Sequence, residues 1–356
     1  KRTTIEVAKI DHEEGDAFGE IASRVLNGTA IGISWLKNDN GKQRRVTILN
    51  PEPDFDLAED DEIIVIRDIN EPLGISSQKT GSTSISNEAT QINLGIPARP
   101  NVKKVLIFSI SPNIGEIIKE MNEHTLERLE IMLACKNAAE NCDFLSNILR
   151  KKHGDVKDIF ATQPLIEPVE FDLEGAWSLE GLTLTEFDAI FILADESELR
   201  VDADSRTVLL LVLIKNLRDR SQGENFPPVV TEILDQQTLD LLDRSPINDA
   251  VISTEFISNL LLQVARNPFL EAIYRELLNA GGVEMGFRPM ERYTTIGEKT
   301  NHGDIVKAAQ GLNETVIGYK IFDEIEPSII INPNKNECFQ FSNKDQLIVL
   351  AQQLYT

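Results

Sequence analysis

The amino-acid sequence predicts an α/β protein in which a doubly wound parallel sheet is flanked by two small α+β domains. Three observations predict this fold. Segments 15–66 and 303–350 share one skeleton of residues. The central segment 102–252 alternates apolar, strand-like runs with helical patterns. A long helical pattern follows it and is interrupted at Asn267-Pro268. The chain therefore reads as one small module, a different central domain, and a second copy of the module.

The repeated module is a short helix followed by strands that turn at an Asn-Pro pair. Both copies contain Gly, an acid and Ile in succession, then an Ile-Gly pair, then an apolar triplet ending in Asn-Pro, and then a polar turn before β-branched residues. The matched positions are Gly19 and Gly303, Gly32 and Gly318, Asn50 and Asn332, Pro51 and Pro333, Asp61 and Asp345, and Ile64 and Ile348. Two copies of one module around a different domain are more typical of a modular sensor than of a simple enzyme.

In the first copy, residues 3–10 read as a strand and FGEIASRVL as a short amphipathic helix. Asn40-Gly41 supplies the positive-φ positions that a hairpin turn needs. Residues 71–100 are rich in Ser, Thr, Gly and Pro and have no periodicity. This composition predicts a flexible linker.

The central segment predicts six strands and three intervening helices. The strands are KKVLIFSI, LERLEIMLAC, a run inside VKDIFATQPLIEPVEFDL, FDAIFILADE, PPVVTEIL and NDAVIS; the helices are NIGEIIKEMNEH, NAAENCDFLSNILRKKHG and RTVLLLVLIKNLRDR. Continuous apolar runs such as AIFILA are typical of parallel strands buried on both faces. Alternation of this kind with short connections indicates a Rossmann-like sheet.

The sequence from Thr254 to Ala280 predicts two helices joined at an elbow, because Pro268 disfavours helix at the residue before it. Its apolar residues exceed what one face needs to cover a sheet: Phe256, Leu260, Leu261, Val264, Phe269, Ile273 and Leu277. We expect this surplus to form a dimer arm, and packing within one chain is the alternative.

The formal net charge of −23 argues against a nucleic-acid partner and against docking on an anionic membrane surface. Three cysteines form no disulfide framework, which fits a reducing compartment. Four scattered histidines have no metal-ligand spacing, so a zinc site is not expected. The sequence also contains no nucleophile elbow and no phosphate-binding Walker loop, so we predict that the protein is not an enzyme.

The first central strand is followed by a degenerate nucleotide-binding loop whose candidate residues are Ser109, Ser111, Asn113 and Gly115. Only Gly115 remains of a glycine-rich pattern, and Pro112 lacks a backbone N–H that could hold a phosphate. The second strand ends at Lys136 instead of the acid that binds an NAD ribose. Tight NAD binding is therefore not expected, although the helix N-terminus at 113–115 could hold a smaller anion.

Acidic residues cluster where the fourth and fifth central strands end: Asp195, Glu196, Glu198, Asp202, Asp204, Glu232 and Asp235. The carboxyl ends of parallel strands meet at one edge of a sheet, and Ca²⁺ takes six to eight oxygen ligands. The sequence thus predicts a divalent-cation site, most simply for Ca²⁺. Two structural alternatives stay open, because Asp202 and Asp204 also suit a helix N-terminus and the pair of Glu232 and Asp235 also suits a helix cap.

Several motifs together resemble the Castor/Pollux-type ion channels. They are FDAIFILADES, DSRTVLLLVLI, VVTEILDQQTLDLL, DAVISTEFISNLLLQVARNP, LNAGGVEMGFRPMERY, VIGYKI and IINP. The soluble regions of these cation channels contain RCK (regulator of K⁺ conductance) domains. The resemblance is strong over 102–350 and moderate over 1–70. The family-like carboxylates are Asp195, Glu196, Asp204, Glu232 and Asp235.

The resemblance implies a domain plan: a Trk-C-like RCK C-lobe at 1–70, a linker at 71–101, a Rossmann-like N-lobe at 102–253, a helical dimerisation crossover at 254–283, and a second C-lobe at 284–356. It further implies a pore upstream in the same natural chain, a tetrameric gating ring at the cytoplasmic face of a membrane, and gating by a ligand, with Ca²⁺ the suspected one. The alternatives are an NAD-dependent oxidoreductase and a freestanding regulatory subunit of a Trk-type transporter.

Overall fold

The computed structural model describes residues 3–39, 42–76, 102–109, 111, 113–123, 128–152, 164–173, 179, 182–195, 200–220, 226–235, 238, 250–278, 282–322 and 327–352. The chain divides into two compact units, one made of 1–95 with 263–356 and the other of 96–262. None of the described helices is both long and apolar enough to cross a membrane.

The first repeat contains one helix and six strands: β1 (Thr3–Ala8), α1 (Phe18–Arg24), β2 (Val25–Leu26), β3 (Gly28–Asp39), β4 (Lys42–Leu49), β5 (Glu62–Asp68) and β6 (Gly74–Ile75). Its antiparallel sheet has the order β1-β5-β3-β4. The turn predicted at Asn40-Gly41 lies outside the described residues. Residues 74–76 of the linker predicted at 71–101 belong to the folded first repeat, because β6 pairs with β2 and Ser76 N donates to Arg24 O. Residues 77–101 lie outside the described residues.

The central elements are β7 (Lys104–Phe108), α2 (Ile114–Glu123), β8 (Glu130–Cys135), α3 (Ala138–Lys152), β9 (Leu165–Glu170), β10 (Ala189–Ile192), α4 (Arg200–Arg220), β11 (Val229–Ile233) and β12 (Ala250–Ile252). All neighbours in the order β12-β11-β10-β7-β8-β9 pair in parallel. This is the Rossmann strand order, so the predicted fold class is confirmed. Apolar cores lie on both faces, one including Leu210 and Ile214 of α4 and the other Ile114 and Ile118 of α2.

The predicted elbow is present as α5 (Ser253–Arg266) and α6 (Leu270–Leu278), which end and begin on either side of Asn267-Pro268. Asn267 Oδ1 accepts a hydrogen bond from the backbone N–H of Phe269 at 3.1 Å, which fixes the turn between the helices. The second repeat follows as β13 (Val283–Pro289), β14 (Lys299–Asn301), α7 (His302–Gln310), β15 (Thr315–Phe322), β16 (Pro327–Ile331), β17 (Cys338–Gln340) and β18 (Gln346–Gln352).

The two repeats have the same sheet topology, since β13-β18-β15-β16 repeats the order β1-β5-β3-β4. Gly32 pairs with Ile64 just after a register shift in β3, and Gly318 pairs with Ile348 just after the same shift in β15. A Cβ atom on Gly32 would lie 2.4 Å from the carbonyl oxygen of Ile48, and one on Gly318 would lie 2.1 Å from that of Ile330. The repeated glycines are therefore required by close backbone approach at a bulge.

The repeats pack against each other around one apolar core inside the first unit. Ile31 and Leu49 of the first repeat lie there with Ile317 and Ile348 of the second, all nearly fully buried. Leu270 and Ile273 of α6 complete this core. At about 25 cal/mol per Å² of apolar surface removed from water, this core is a main stabilising contribution in the unit.

Candidate functional site: a cleft at the strand ends

A cleft of about 530 Å³ opens at the carboxyl ends of the central strands. Its walls come from the ends of β7, β8 and β10, the segment after β9, and one side of α4. The lining residues that carry its chemistry are Ser109, Lys136, Asn141, Asp172, Asp195 and Arg206. Open α/β sheets bind their ligands at this edge, so the cleft is the candidate functional site.

Charges of both signs face the cleft. Lys136 Nζ lies 3.2 Å from Asp172 Oδ1 in a partly exposed ion pair. Arg206, on α4, is a second cation and is half-buried, and Asp195 is a second acid. A partly exposed ion pair of this kind contributes at most about 1 kcal/mol to stability. A ligand can therefore replace the contact between Lys136 and Asp172 at a low cost in free energy. The cleft can therefore accept a polar ligand with an anionic group.

An aromatic pair forms the apolar part of the cleft wall. The rings of Phe108 and Phe171 meet edge to face with their centroids 5.1 Å apart. Cys135, which also lines the cleft, is a free cysteine whose thiol pKa is raised to about 11, chiefly by burial. A thiol with that pKa stays protonated at neutral pH and is a poor nucleophile.

The predicted nucleotide loop is only partly at the cleft. Ser109 lines it and has a φ of 70°, a left-handed conformation that glycine adopts more easily. Ser111 is buried, and its Oγ accepts a hydrogen bond from Asn113 N at 3.3 Å. Asn113 precedes α2, Gly115 lies in its first turn, and neither lines the cleft. The loop is thus shaped mainly for starting the helix, and NAD binding through it stays unexpected.

The predicted acidic residues divide into two groups. Asp204 is buried, and its carboxylate accepts hydrogen bonds from the backbone N–H groups of Leu234 and Asp235, both at 2.9 Å. Glu232 Oε2 likewise accepts from Ala194 N at 3.1 Å. These two carboxylates link the ends of neighbouring elements, which is a structural role that sequence spacing cannot distinguish from metal binding.

The other acids do not complete a cation site in the described part of the chain. Asp195 faces the cleft, Asp202 is exposed on the first turn of α4, and Asp235 is half-buried. Glu196 and Glu198 lie outside the described residues. Among the residues that are described, no three His, Cys, Asp or Glu side chains are arranged to hold a metal ion. The Ca²⁺ site stays a prediction that depends on Glu196 and Glu198.

Sequence reasoning missed Arg206, Asp172 and Phe171 as cleft residues. Arg206 lies in α4 within four residues of Asp202 and Asp204, and the sequence predicts only a helix there. Residues 171 and 172 follow β9 directly, so their place after a strand was the available signal.

The chain is similar in sequence to known ion channels. The ion channel CASTOR of Lotus japonicus is 32% identical over 201 residues, which are 49% of this chain and 23% of the channel. The probable ion channel POLLUX of Oryza sativa subsp. japonica is 26% identical over 372 residues, which cover 95% of this chain and 36% of the channel. The chain is similar to the CASTOR and POLLUX ion channels. The resemblance expected from the motifs is therefore confirmed.

The chain spans between 23% and 36% of the length of these curated relatives. No family model matches it. A solved structure of the human SLO3 gating ring superposes with a TM-score of 0.62 at 13% identity, covering 99% of this chain and 66% of that one. At that identity the likeness concerns the fold, and it supports the RCK-like architecture predicted from the sequence.

Proposed function

We propose that this chain is a ligand-sensing RCK region that regulates the conductance of a cation channel. Its similarity to proteins named as ion channels, over nearly its whole length, supports this assignment. The likeness of its fold to a gating ring supports it further. The proposal includes a pore upstream in the same natural chain and a position at the cytoplasmic face of the membrane.

The observation that carries the proposal is the cleft itself. It has the size of a small-molecule site and lies between the sheet and α4, so a ligand there contacts several elements at once. A ligand that binds one arrangement of the domains more tightly shifts the population toward it. A coupling of about 1–3 kcal/mol corresponds to roughly a 5- to 150-fold difference in affinity between the two states.

A non-enzymatic role fits the described lining of the cleft. It includes no histidine, and its cysteine has a raised pKa. Covalent catalysis by a Ser–His or Cys–His pair therefore has no histidine in the lining that the structure describes. An NAD-dependent oxidoreductase is the weaker alternative, because Lys136 stands where a ribose-binding acid is needed.

Assembly through the elbow is the second part of the proposal. Helix α5 exposes four large apolar side chains, namely Phe256, Ile257, Leu261 and Leu262, with Leu261 64% exposed. A patch of this kind on a helix is typical of a surface that a partner covers. A second copy of the chain is the partner that a gating ring requires, and the freestanding-subunit alternative would place a transporter there instead.

Sedimentation velocity of the chain at tens of micromolar tests this proposal. We expect at least a dimer, and we expect Leu261→Asp with Leu262→Asp to give a monomer, because a charge buried unpaired in an interface is strongly destabilising. Leu36→Asp is the matched control, since Leu36 is also more than half exposed (54%) but lies on the first repeat. A monomeric parent chain, or a loss of assembly with the control as well, would contradict the proposal.

A further inference from the structure

A small cavity lies between the two repeats, inside the first unit. Residues of α1 and of its equivalent α7 line it, together with the segments that follow β4 and β16. Its volume is about 30 Å³, which is enough for a water molecule or a monoatomic ion and too small for an organic ligand. The cavity is therefore a candidate site for a small ion at the contact between the repeats.

Lys335 brings a positive charge to this cavity. Its Nζ donates hydrogen bonds to Ala22 O at 2.8 Å and to Ser23 O at 3.0 Å, at the end of α1. Both acceptors are neutral carbonyls, and no carboxylate of the residues that the structure describes forms an ion pair with Nζ. An ammonium has three N–H donors, so the third is left for a ligand. A partly buried charge without a counter-ion is costly, and an anion in the cavity would remove that cost.

Two further donors belong to residues that line the cavity, His302 and Gln310. His302 is 1% exposed, and its Nδ1 contacts the hydroxyl of Tyr319. Burial lowers the pKa of His302 to about 4 and raises the pKa of Tyr319, so at pH 7 the ring is neutral and the hydroxyl can donate to Nδ1. The proton of the ring is then on Nε2. Neither Nε2 nor the side-chain amide of Gln310 has a hydrogen-bond partner in the described part of the chain.

Glu314 is the acid in the described lining, and its carboxylate has other partners. Arg288 Nε donates to Oε1 at 3.0 Å, and the hydroxyl of Tyr293 donates to Oε2. Arg292 Nη1 lies 3.7 Å from Oε1. Two arginines thus compensate the charge of Glu314, and the charge of Lys335 remains uncompensated at the cavity.

The fold of the repeated module does not require a histidine and a lysine at these positions. The matched glycines place Phe18 at the position of His302, and the matched asparagines place Pro53 at the position of Lys335. The helix N-terminus donates to the carbonyl of the latter residue in both repeats, at 2.8 Å for Pro53 and 3.2 Å for Lys335. The first repeat therefore keeps the same backbone contact with apolar side chains, so the polar pair of the second repeat serves something besides the fold.

We propose that the cavity binds a chloride ion, held by the ammonium of Lys335 and by the side chains of His302 and Gln310. A monoatomic anion fits the volume and accepts hydrogen bonds from several directions at once. Water fits the volume as well, but it leaves the positive charge uncompensated. Chloride here would connect α7 and the segment after β16 to the end of α1, and it would stabilise the pairing of the two repeats. The site lies apart from the cleft and does not rest on the function proposed for it.

Thermal unfolding of the whole chain at pH 7 tests the site, with chloride replacing methanesulfonate at constant ionic strength. This pH lies below the pKa of Lys335, which burial lowers to about 8, so the ammonium keeps its charge. We expect the melting temperature to rise with chloride, because a ligand that binds only the folded state stabilises it by RT ln(1 + [L]/Kd). Lys335→Met should abolish the rise. His302→Phe, which copies the first repeat, should weaken it.

Lys307→Met is the matched control, since it removes the same charge from an exposed position on α7 and should keep the rise. A second measurement needs no variant: in crystals of the parent soaked in bromide, the anomalous signal should show an ion beside Lys335. The proposal would be overturned by a parent that does not respond to chloride, by an equal rise in Lys335→Met, by a loss of the rise in Lys307→Met as well, or by the absence of bromide from the cavity. None of these outcomes bears on the cleft or on the assembly through α5.

Discussion

Thr315 Oγ1 donates a hydrogen bond to Oδ1 of Asn50 at 2.6 Å, across the boundary between the two repeats. Thr29, the equivalent of Thr315, makes the same bond to Asn332 at 3.0 Å. Both asparagines have left-handed backbones, with φ of 46° and 50°. The Asn-Pro pair that defines the repeat in the sequence is therefore also the contact by which the two copies recognise each other.

Thr315→Val and Thr29→Val should each destabilise the first unit by about 1 kcal/mol, because each removes one partly buried hydrogen bond while keeping the shape of the side chain. Urea unfolding measures this loss from the shift of the midpoint at constant slope. Similar losses in the two variants are expected from the two-fold relation. An unchanged midpoint in both would show that the pair of bonds does not hold the repeats together.

Gly318→Ala should destabilise the protein by more than about 2 kcal/mol, because the new Cβ would collide with the backbone of Ile330 at the bulge. Gly311→Ala is the matched control. Gly311 has a φ of −62°, and a Cβ atom placed on it would lie 3.4 Å from the carbonyl oxygen of Ala308. Alanine therefore fits there and should be neutral or stabilising by about 0.5 kcal/mol. Thermal unfolding of the two variants side by side checks the difference, and equal melting temperatures would refute the account of the bulge.

Because Lys335 is partly buried, the free energy of unfolding should rise at alkaline pH. Its Nζ donates hydrogen bonds to the carbonyls of Ala22 and Ser23, and burial lowers its pKa from 10.5 to about 8. Between those values the unfolded chain binds more protons than the folded one, so the free energy of unfolding increases with pH, by up to about 1.4 kcal/mol per unit. The increase should begin near pH 8 and end near 10.5.

Lys335→Met is the control for this dependence, since it removes the titrating group and keeps the length of the side chain. The difference in unfolding free energy between parent and variant, measured in urea from pH 7 to 11, should grow in favour of the parent over that window. A constant difference would mean that Lys335 titrates normally in the folded protein.

If Ca²⁺ binds near Asp195, the melting temperature should rise with Ca²⁺, and only with Ca²⁺, at constant ionic strength. Asp195→Asn with Glu196→Gln should abolish it, because a hard cation needs carboxylate ligands. Asp204→Asn is not diagnostic, since Asp204 already accepts two backbone hydrogen bonds and its loss destabilises the protein without metal. An equal response to Mg²⁺, or a rise that survives the double variant, would remove the Ca²⁺ site.

Most of the fold could be predicted from the sequence because its signals are local and strong. Apolar runs gave the parallel strands, and Pro268 gave the break between the two elbow helices. The internal repeat predicted two copies of one α+β module, and the structure gives both copies the same sheet order. The short strand at Gly74–Ile75 was missed, because a two-residue pairing has no periodicity.

The candidate site was harder to predict because its residues are close only in the folded chain. A carboxylate such as Asp204 has the same sequence signature whether it binds a cation or two backbone N–H groups. The sequence predicts Phe269 in a dimer surface but carries no sign that its ring also lies on Arg45, which is 224 positions away in the sequence. Long-range contacts of this kind leave no mark in local patterns.

The central claim, that a ligand in the cleft controls conductance, is tested most directly by planar-bilayer recording of the full-length natural protein. Leu173→Trp is chosen to obstruct the cleft, because Leu173 lines it and is half-buried. With Ca²⁺ as the probe, we predict a cation current whose open probability changes with Ca²⁺ in the parent and does not change in Leu173→Trp, at the same single-channel conductance. The account would be contradicted by the absence of any cation current, or by the same response to Ca²⁺ in both proteins.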